Sequence, residues 1–357
     1  MTLLPCPSHR APRAPRALAA SVTAALALSA LVACGESAAE DRAEENPHYT
    51  TEPTDSFPLT VDHEYGATTI ESEPQRIVTV GLTEQDVLLE LGVTPIATTE
   101  WYGEQEFAVW PWATDLLNGA EPEVLSAADG FQYERIAELE PDLIIGTNAG
   151  MTEDAYDRLS EIAPTVTATD GSEGYTSPWR DQTRQIAAAV GRSAEGEELI
   201  TGVDEAYAAV AAEHPEFAGK TATFAQGVIW EGVIYVYPDG VNTDFLTDLG
   251  FTITPGLEQH APGAGEQAQI SAENVGLLDA DVVLFATESP EGIDEVLSFG
   301  TMSTLPAVQE GRAIYSDAVL SGAIYFLTPL SQKYVLEHLE PRLVDALAGE
   351  SPQDVEG

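Results

Sequence analysis

Two stretches of this chain carry the same pattern. Residues 133–146 read YERIAELEPDLIIG, and residues 272–285 read AENVGLLDADVVLF. Aligned without a gap, Glu134 falls on Glu273, Ile136 on Val275, Leu139 on Leu278 and Asp142 on Asp281. Each ends in an apolar triplet, Leu143-Ile144-Ile145 or Val282-Val283-Leu284. The spacing predicts a short helix with one buried face, a break at Pro141 or Ala280, and a buried strand opened by an aspartate. A chain that writes this unit twice is constrained to two α/β halves of similar plan. Each glutamate heads its helix, where the macrodipole stabilises a carboxylate by about 0.3–1 kcal/mol. The pair therefore reads equally as two helix starts or as two functional groups.

Around these units, apolar runs bounded by turn signals alternate with segments of helical period. In the first half the pattern predicts a hairpin of residues 60–63 and 67–71, strands over 76–80, 94–97, 143–146 and 165–168, and helices over 83–91, 133–139 and 153–163. Alternating strands and helices imply a parallel sheet. The second half predicts strands over 221–225, 233–237 and 313–316, with helices over 243–249, 293–298 and 329–347. Between the halves, 178–190 and 194–214 are alanine-rich and helical, a connector that limits how far two lobes can swing.

The first fifty residues do not fit this plan. Arg10, Arg13 and Arg16 flank an uncharged, alanine-rich run from Ala17 to Ala33 that is short for a membrane span and reads, with residues 1–33, as a secretory signal. Leu31-Val32-Ala33-Cys34 resembles a bacterial lipobox, implying cleavage before Cys34 and acylation of that residue. Several acyl chains on one cysteine suffice for stable anchoring. Cys6 leaves with the signal, so no internal disulfide is expected. Residues 34–57, acidic and nearly free of aliphatic side chains, are expected to form a disordered stalk.

With 14 Lys and Arg against 60 Asp and Glu, the formal net charge is −46. Such a field excludes a nucleic-acid partner and favours neutral or cationic ligands over anionic ones. His48, His63, His214, His260 and His338 are isolated, which argues against a receptor for a bare metal ion. No G-x-S-x-G elbow, P-loop or complete G-x-G-x-x-G occurs, and carboxylate pairs carry no information in so acidic a chain, so no enzymatic activity is expected.

Taken together and in order, HEYGATTIESEPQRIVTVG, FQYERIAELEPDLIIG, LSEIAPTV, QIAAAVGR, ISAENVGLLDADVVLF, LPAVQEGRAIYSD and PLSQKYVLEHLEP resemble the ferric-siderophore substrate-binding lipoproteins of ABC importers. The resemblance covers about residues 58–348. It implies the class III periplasmic-binding-protein fold: two Rossmann-like α/β lobes (58–192 and 215–350) joined by a single long helix (193–214), with the ligand cleft between them. It further implies a monomer, lipid-tethered to the outer face of the cell membrane through Cys34. That monomer captures a ferric siderophore and delivers it to a permease dimer. No protein cofactor is implied, because the ligand brings its own Fe3+. Glu134 and Glu273 fall on the family's permease-docking positions, one per lobe. The family also contains haem- and cobalamin-binding members, so either ligand is the alternative.

Five tryptophans bear on the ligand. Trp101, Trp110 and Trp112 crowd into an aperiodic loop with Tyr102, and Trp230 follows a strand of the other lobe near Tyr235. Aromatic faces offer stiff contact area to the apolar arms of a chelate. The expected contacts are Trp101, Tyr102, Trp110, Asn148, Trp179, Trp230, Tyr235 and His260. Where several hydroxamate binders of the family carry an arginine before the first glutamate, this chain reads SAADGFQYE, with no base until Arg135. That departure favours a neutral or cationic chelate of hydroxamate type over a triscatecholate, unless Arg158 or Arg180 reaches the cleft.

Overall fold

The computed structural model describes residues 49–171, 177–263 and 265–351. The signal segment 1–33, Cys34 and the first part of the stalk lie outside the described residues.

The first lobe opens with a hairpin, β1 (Leu59–His63) and β2 (Gly66–Ile70), turned by Glu64-Tyr65. A parallel five-stranded sheet follows, made of β3 (Ile77–Thr79), β4 (Ala97–Glu100), β5 (Glu123–Ser126), β6 (Leu143–Gly146) and β7 (Thr165–Thr167), in the order β5-β4-β3-β6-β7. Helices α1 (Glu84–Glu90), α2 (Tyr133–Glu138), α3 (Glu153–Ser160) and α4 (Trp179–Ala189) connect and cover it. Strands β3 and β6 are buried throughout because both their faces are covered, as expected of a parallel sheet. The strand expected over 94–97 starts only at Ala97. Pro95 has no N–H to give a ladder, and Val93 instead bridges Tyr49.

The connector is one 21-residue helix, α5 (Ser193–Glu213). It leads into a six-stranded sheet of β8 (Thr221–Trp230), β9 (Val233–Tyr237), β10 (Thr252–Ile253), β11 (Ala268–Ser271), β12 (Val282–Glu288) and β13 (Ala313–Asp317). The order is β11-β9-β8-β12-β13, with β10 paired to the first two residues of β8. Strands β8, β12 and β13 are parallel, whereas β9 runs antiparallel to both β8 and β11. The helices of this lobe are α6 (Asp244–Thr247), α7 (Pro290–Ser298), α8 (Pro306–Gln309), α9 (Ala318–Phe326) and α10 (Pro329–Ala348).

The duplicated unit is structural at two of its aligned positions. Ile136 and Val275 are buried, and both aspartates bind the backbone ahead of the neighbouring central strand. Asp142 accepts from the Gln75 and Arg76 amides at 2.7 and 2.8 Å, and Asp281 accepts from the Thr221 amide at 2.9 Å. Those bonds hold the Asp281 carboxyl below its ordinary pKa. The copies diverge where Gly276 replaces Ala137. Glycine disfavours helix by about 1 kcal/mol, and the second copy forms a 3-10 turn, Val275–Leu278, in place of the expected α-helix.

Residues 49–57, expected as the end of a disordered stalk, are packed on the first lobe. The Thr54 and Asp55 amides donate to the Gly191 carbonyl, and Phe57 joins the lobe's core. The anchor is Arg192, fully buried, which donates to Thr51 Oγ1 at 3.2 Å and to the Thr51 carbonyl, with its guanidinium over the Tyr49 ring. Hydrogen bonds and two aromatic rings hold a segment whose aliphatic content alone does not.

Candidate ligand-binding cleft

The carboxyl ends of the parallel strands of both sheets face a common cleft of about 790 Å³, the crevice position favoured for ligands in open α/β sheets. From the first lobe come Leu82 after β3, Trp101 and Tyr102 after β4, Ala127 after β5 and Asn148 after β6. The second lobe supplies the far half of β8 (Gln226–Val228), Tyr235 and Tyr237 on β9, Glu288 ending β12, and Tyr325–Leu327 ending α9.

The walls are aromatic and continuous across the lobes. Trp101 lies 5.6 Å from Tyr102 and 5.7 Å from Phe326 between ring centroids; Tyr102 is 6.1 Å from Tyr325, which is 6.5 Å from Tyr237. Tyr237 stacks on Phe224 at 4.6 Å. Burial pushes the phenols of Tyr102, Tyr237 and Tyr325 above their ordinary pKa, so all three remain neutral hydrogen-bond donors at physiological pH.

Of the expected contacts, Trp101, Tyr102, Asn148, Trp179 and Tyr235 line this cleft. Asn148 is fixed there: its amide N–H donates to Glu84 Oε1 at 2.7 Å and its side-chain Nδ2 to Thr83 Oγ1 at 3.1 Å, leaving Oδ1 without a partner among the described residues. Glu84 is itself fully buried, and burial pushes its pKa up against the hydrogen bonds it accepts. Any side chain at Gly81 would collide with it, a Cβ there falling 1.9 Å from its Oε1.

Trp110, Trp230 and His260 are not among the lining residues. Trp110 is 1% exposed, stacked on Trp112 at 5.1 Å and pressed against Gly322, where a Cβ would lie 2.4 Å from its ring. It backs the wall that Tyr102 and Phe326 present. The loop that carries it folds on its own small core of Val109, Ala113 and Leu117, which an aperiodic sequence does not announce. Trp230 is carried past the cleft because β8 runs five residues beyond the expected end. It is 63% exposed beside a hairpin turn whose Glu231 and Gly232 both have positive φ. His260 closes a 3-10 turn, Leu257–His260, outside the lining.

The lining residues that sequence reasoning missed are chiefly Tyr237, Glu288, Tyr325 and Phe326. Tyr325 and Phe326 end a helix that the apolar run 318–326 left undetected, and only a prediction of α9 would have placed them after a strand. Arg158 and Arg180 do not reach the cleft. The Arg158 guanidinium sits 3.5 Å over the Tyr133 ring, and Arg180 is held by Asp204 and Asp248. Among the described residues no Lys, Arg or His lines the cleft, whereas Glu266 and Glu288 do.

Glu134 and Glu273 are both exposed, and neither forms an ion pair among the described residues. Glu134 occupies the first turn of α2, and Glu273 precedes the 3-10 turn of the second copy.

Comparison with known proteins agrees with this architecture. The periplasmic binding protein family matches residues 77–320. The probable siderophore-binding lipoprotein YfiY of Bacillus subtilis is 29% identical over 310 residues, covering 83% of this chain and 89% of that protein. A periplasmic solute binding protein from Mycobacterium smegmatis superposes with a TM-score of 0.75 at 43% identity, over 81% of this chain and 98% of that one. PiaA of Streptococcus pneumoniae, solved in complex with ferrichrome, shares the fold at a TM-score of 0.69 and 24% identity, over 82% of this chain and 99% of that one. The two-lobed class III fold and the family match over residues 77–320 lead to one conclusion: this chain belongs to the periplasmic binding protein family.

Proposed function

We propose that this chain is a lipid-tethered extracytoplasmic receptor that captures a ferric siderophore of hydroxamate type and delivers it to an ABC permease dimer. The observation that carries the reading is the cleft itself, walled by Trp101, Tyr102, Trp179, Tyr235, Tyr237 and Tyr325 and free of cationic side chains among its described lining. Such walls suit the apolar arms of a chelate whose iron is already saturated, and neutral phenols donate to its peripheral oxygens. A triscatecholate carries three negative charges that nothing in this lining compensates. The name of YfiY points to a siderophore ligand, and PiaA was solved in complex with ferrichrome. Glu134 and Glu273, exposed and without an ion pair among the described residues, are assigned to permease docking, and Cys34 to the lipid anchor.

The test is quenching of tryptophan fluorescence on titration with ferrioxamine B, ferrichrome, ferric enterobactin, haemin and cobalamin. The reading requires saturable quenching by a hydroxamate chelate. Quenching by haemin alone, with a shifted Soret band, replaces it with haem reception.

A further inference from the structure

Resting on the siderophore reading, we infer that the cleft selects a cationic ferric chelate and that Glu288 is the residue that reads its charge. Three features of the second lobe place this side chain. The pairing of β8 with β9 breaks register between Ala225 and Ile229, and that of β12 with β13 breaks between Phe285 and Glu288. Both irregularities lie at the cleft end of adjacent central strands. Gly227 fits there because a Cβ would meet the Ala286 carbonyl oxygen at 2.2 Å. Glu288 itself adopts φ 61°, a left-handed conformation that is strained for a non-glycine residue and is retained where a side chain must be aimed.

The direction of aim is the cleft, opposite the other lobe. The Glu288 carboxylate faces the Tyr102 hydroxyl, where burial and then this negative charge raise the phenol pKa. Glu288 forms no ion pair among the described residues. Asp317, which lies opposite Glu288 on β13, holds Arg342 at 3.3 Å. A carboxylate held without a counter-ion in a partly desolvated aromatic cleft, with Glu266 at its rim, repels an anionic chelate and attracts an ammonium. The ligand class this fits is a ferric hydroxamate bearing a free amino group.

Ferrioxamine B and its N-acetyl derivative test this directly, since they share the iron-bound ring of ligands and differ by one positive charge. Titrated against the full chain at low ionic strength, ferrioxamine B is expected to bind at least about tenfold more tightly. The preference should shrink as salt is added. In Glu288→Gln the two affinities should converge, through loss of affinity for the cationic form alone. Equal affinities in the unaltered protein overturn the charge inference and leave the receptor reading standing. An unchanged preference in Glu288→Gln overturns the assignment to that residue, and the same comparison in Glu266→Gln then locates the selector. Failure of both chelates to bind, with haemin binding, overturns both readings.

Discussion

The Asp86 carboxylate accepts the hydroxyl hydrogen of Thr328 at 2.7 Å, joining the first helix of one lobe to the cap of the last helix of the other. The same oxygen takes the Trp112 indole N–H at 2.7 Å, and the other oxygen is buried without a partner among the described residues. Burial pushes the Asp86 pKa up to about 7, against the two hydrogen bonds and with a further upward push from Glu90. In the unfolded chain the group titrates near 4. Between about pH 4 and 7 the folded state therefore keeps a proton that the unfolded state has released, and stability falls as pH rises through that window. The full shift corresponds to about 4 kcal/mol as an upper bound. Asp86→Asn removes the titration while keeping an acceptor oxygen. Its urea midpoint should exceed that of the unaltered protein at about pH 8, and the gap should close toward about pH 5. A gap that does not vary with pH shows that Asp86 does not titrate there.

Trp101 and Trp110 stand nine residues apart in one loop and predict opposite phenotypes. Trp101 is 42% exposed on the cleft wall, so Trp101→Ala should leave stability within about 0.5 kcal/mol and weaken chelate binding by about tenfold. Trp110 is buried behind that wall, and Trp110→Phe should cost roughly 1–3 kcal/mol of stability with little change in affinity. Denaturant melts and chelate titrations on both variants separate the two roles. A Trp110 variant of normal stability and lost affinity would place its ring in the binding surface after all.

This contrast also marks what the sequence could and could not convey. Buried parallel strands such as β6 are legible because three or four consecutive apolar residues between turn signals have few other uses, and β6 and β9 begin and end where expected. The two-lobed plan is legible because the unit around Glu134 and Glu273 is written twice. Which aromatics face the cleft is not legible, because Trp101 and Trp110 share a loop with no period and differ only in tertiary surroundings. Glu288 escaped notice for a related reason. Its importance comes from a register break between strands distant in sequence, and one more glutamate among so many carries no local signal. Residues 49–57 were misjudged because composition counts aliphatic area, whereas their docking depends on one buried arginine supplied from residue 192.

That dependence is testable. Arg192 is 1% exposed and supports Thr51, the Val190 carbonyl at 2.8 Å and, more distantly, Glu73 at 3.7 Å. Arg192→Met should cost about 3 kcal/mol, because it leaves the buried Val190 carbonyl and the half-buried Glu73 carboxylate without a donor and releases Thr51. Deleting residues 49–57 should cost a similar amount, and the two changes combined should cost clearly less than their sum, since both remove the same contacts. Additive costs measured by chemical denaturation show that the segment is held by something other than Arg192.

Glu134 and Glu273 give the last prediction, which separates docking from binding. Both carboxylates are exposed, and neither belongs to the cleft lining or to an ion pair among the described residues. Reversing either charge should therefore leave folding and chelate affinity unchanged, within about 0.5 kcal/mol for an exposed site. Each lobe presents one such group, so a transporter reading both would lose register as well as attraction when both are reversed. In cells carrying the cognate importer, Glu134→Lys with Glu273→Lys should abolish uptake of the chelate, while each single change reduces it. The purified double variant should still quench on titration with the chelate as the unaltered protein does. Normal uptake by the double variant removes these residues from the docking surface, and loss of chelate affinity moves them into the binding machinery instead. A helix-start role alone predicts the first of these results: it lowers the melting temperature by a degree or two and leaves transport intact.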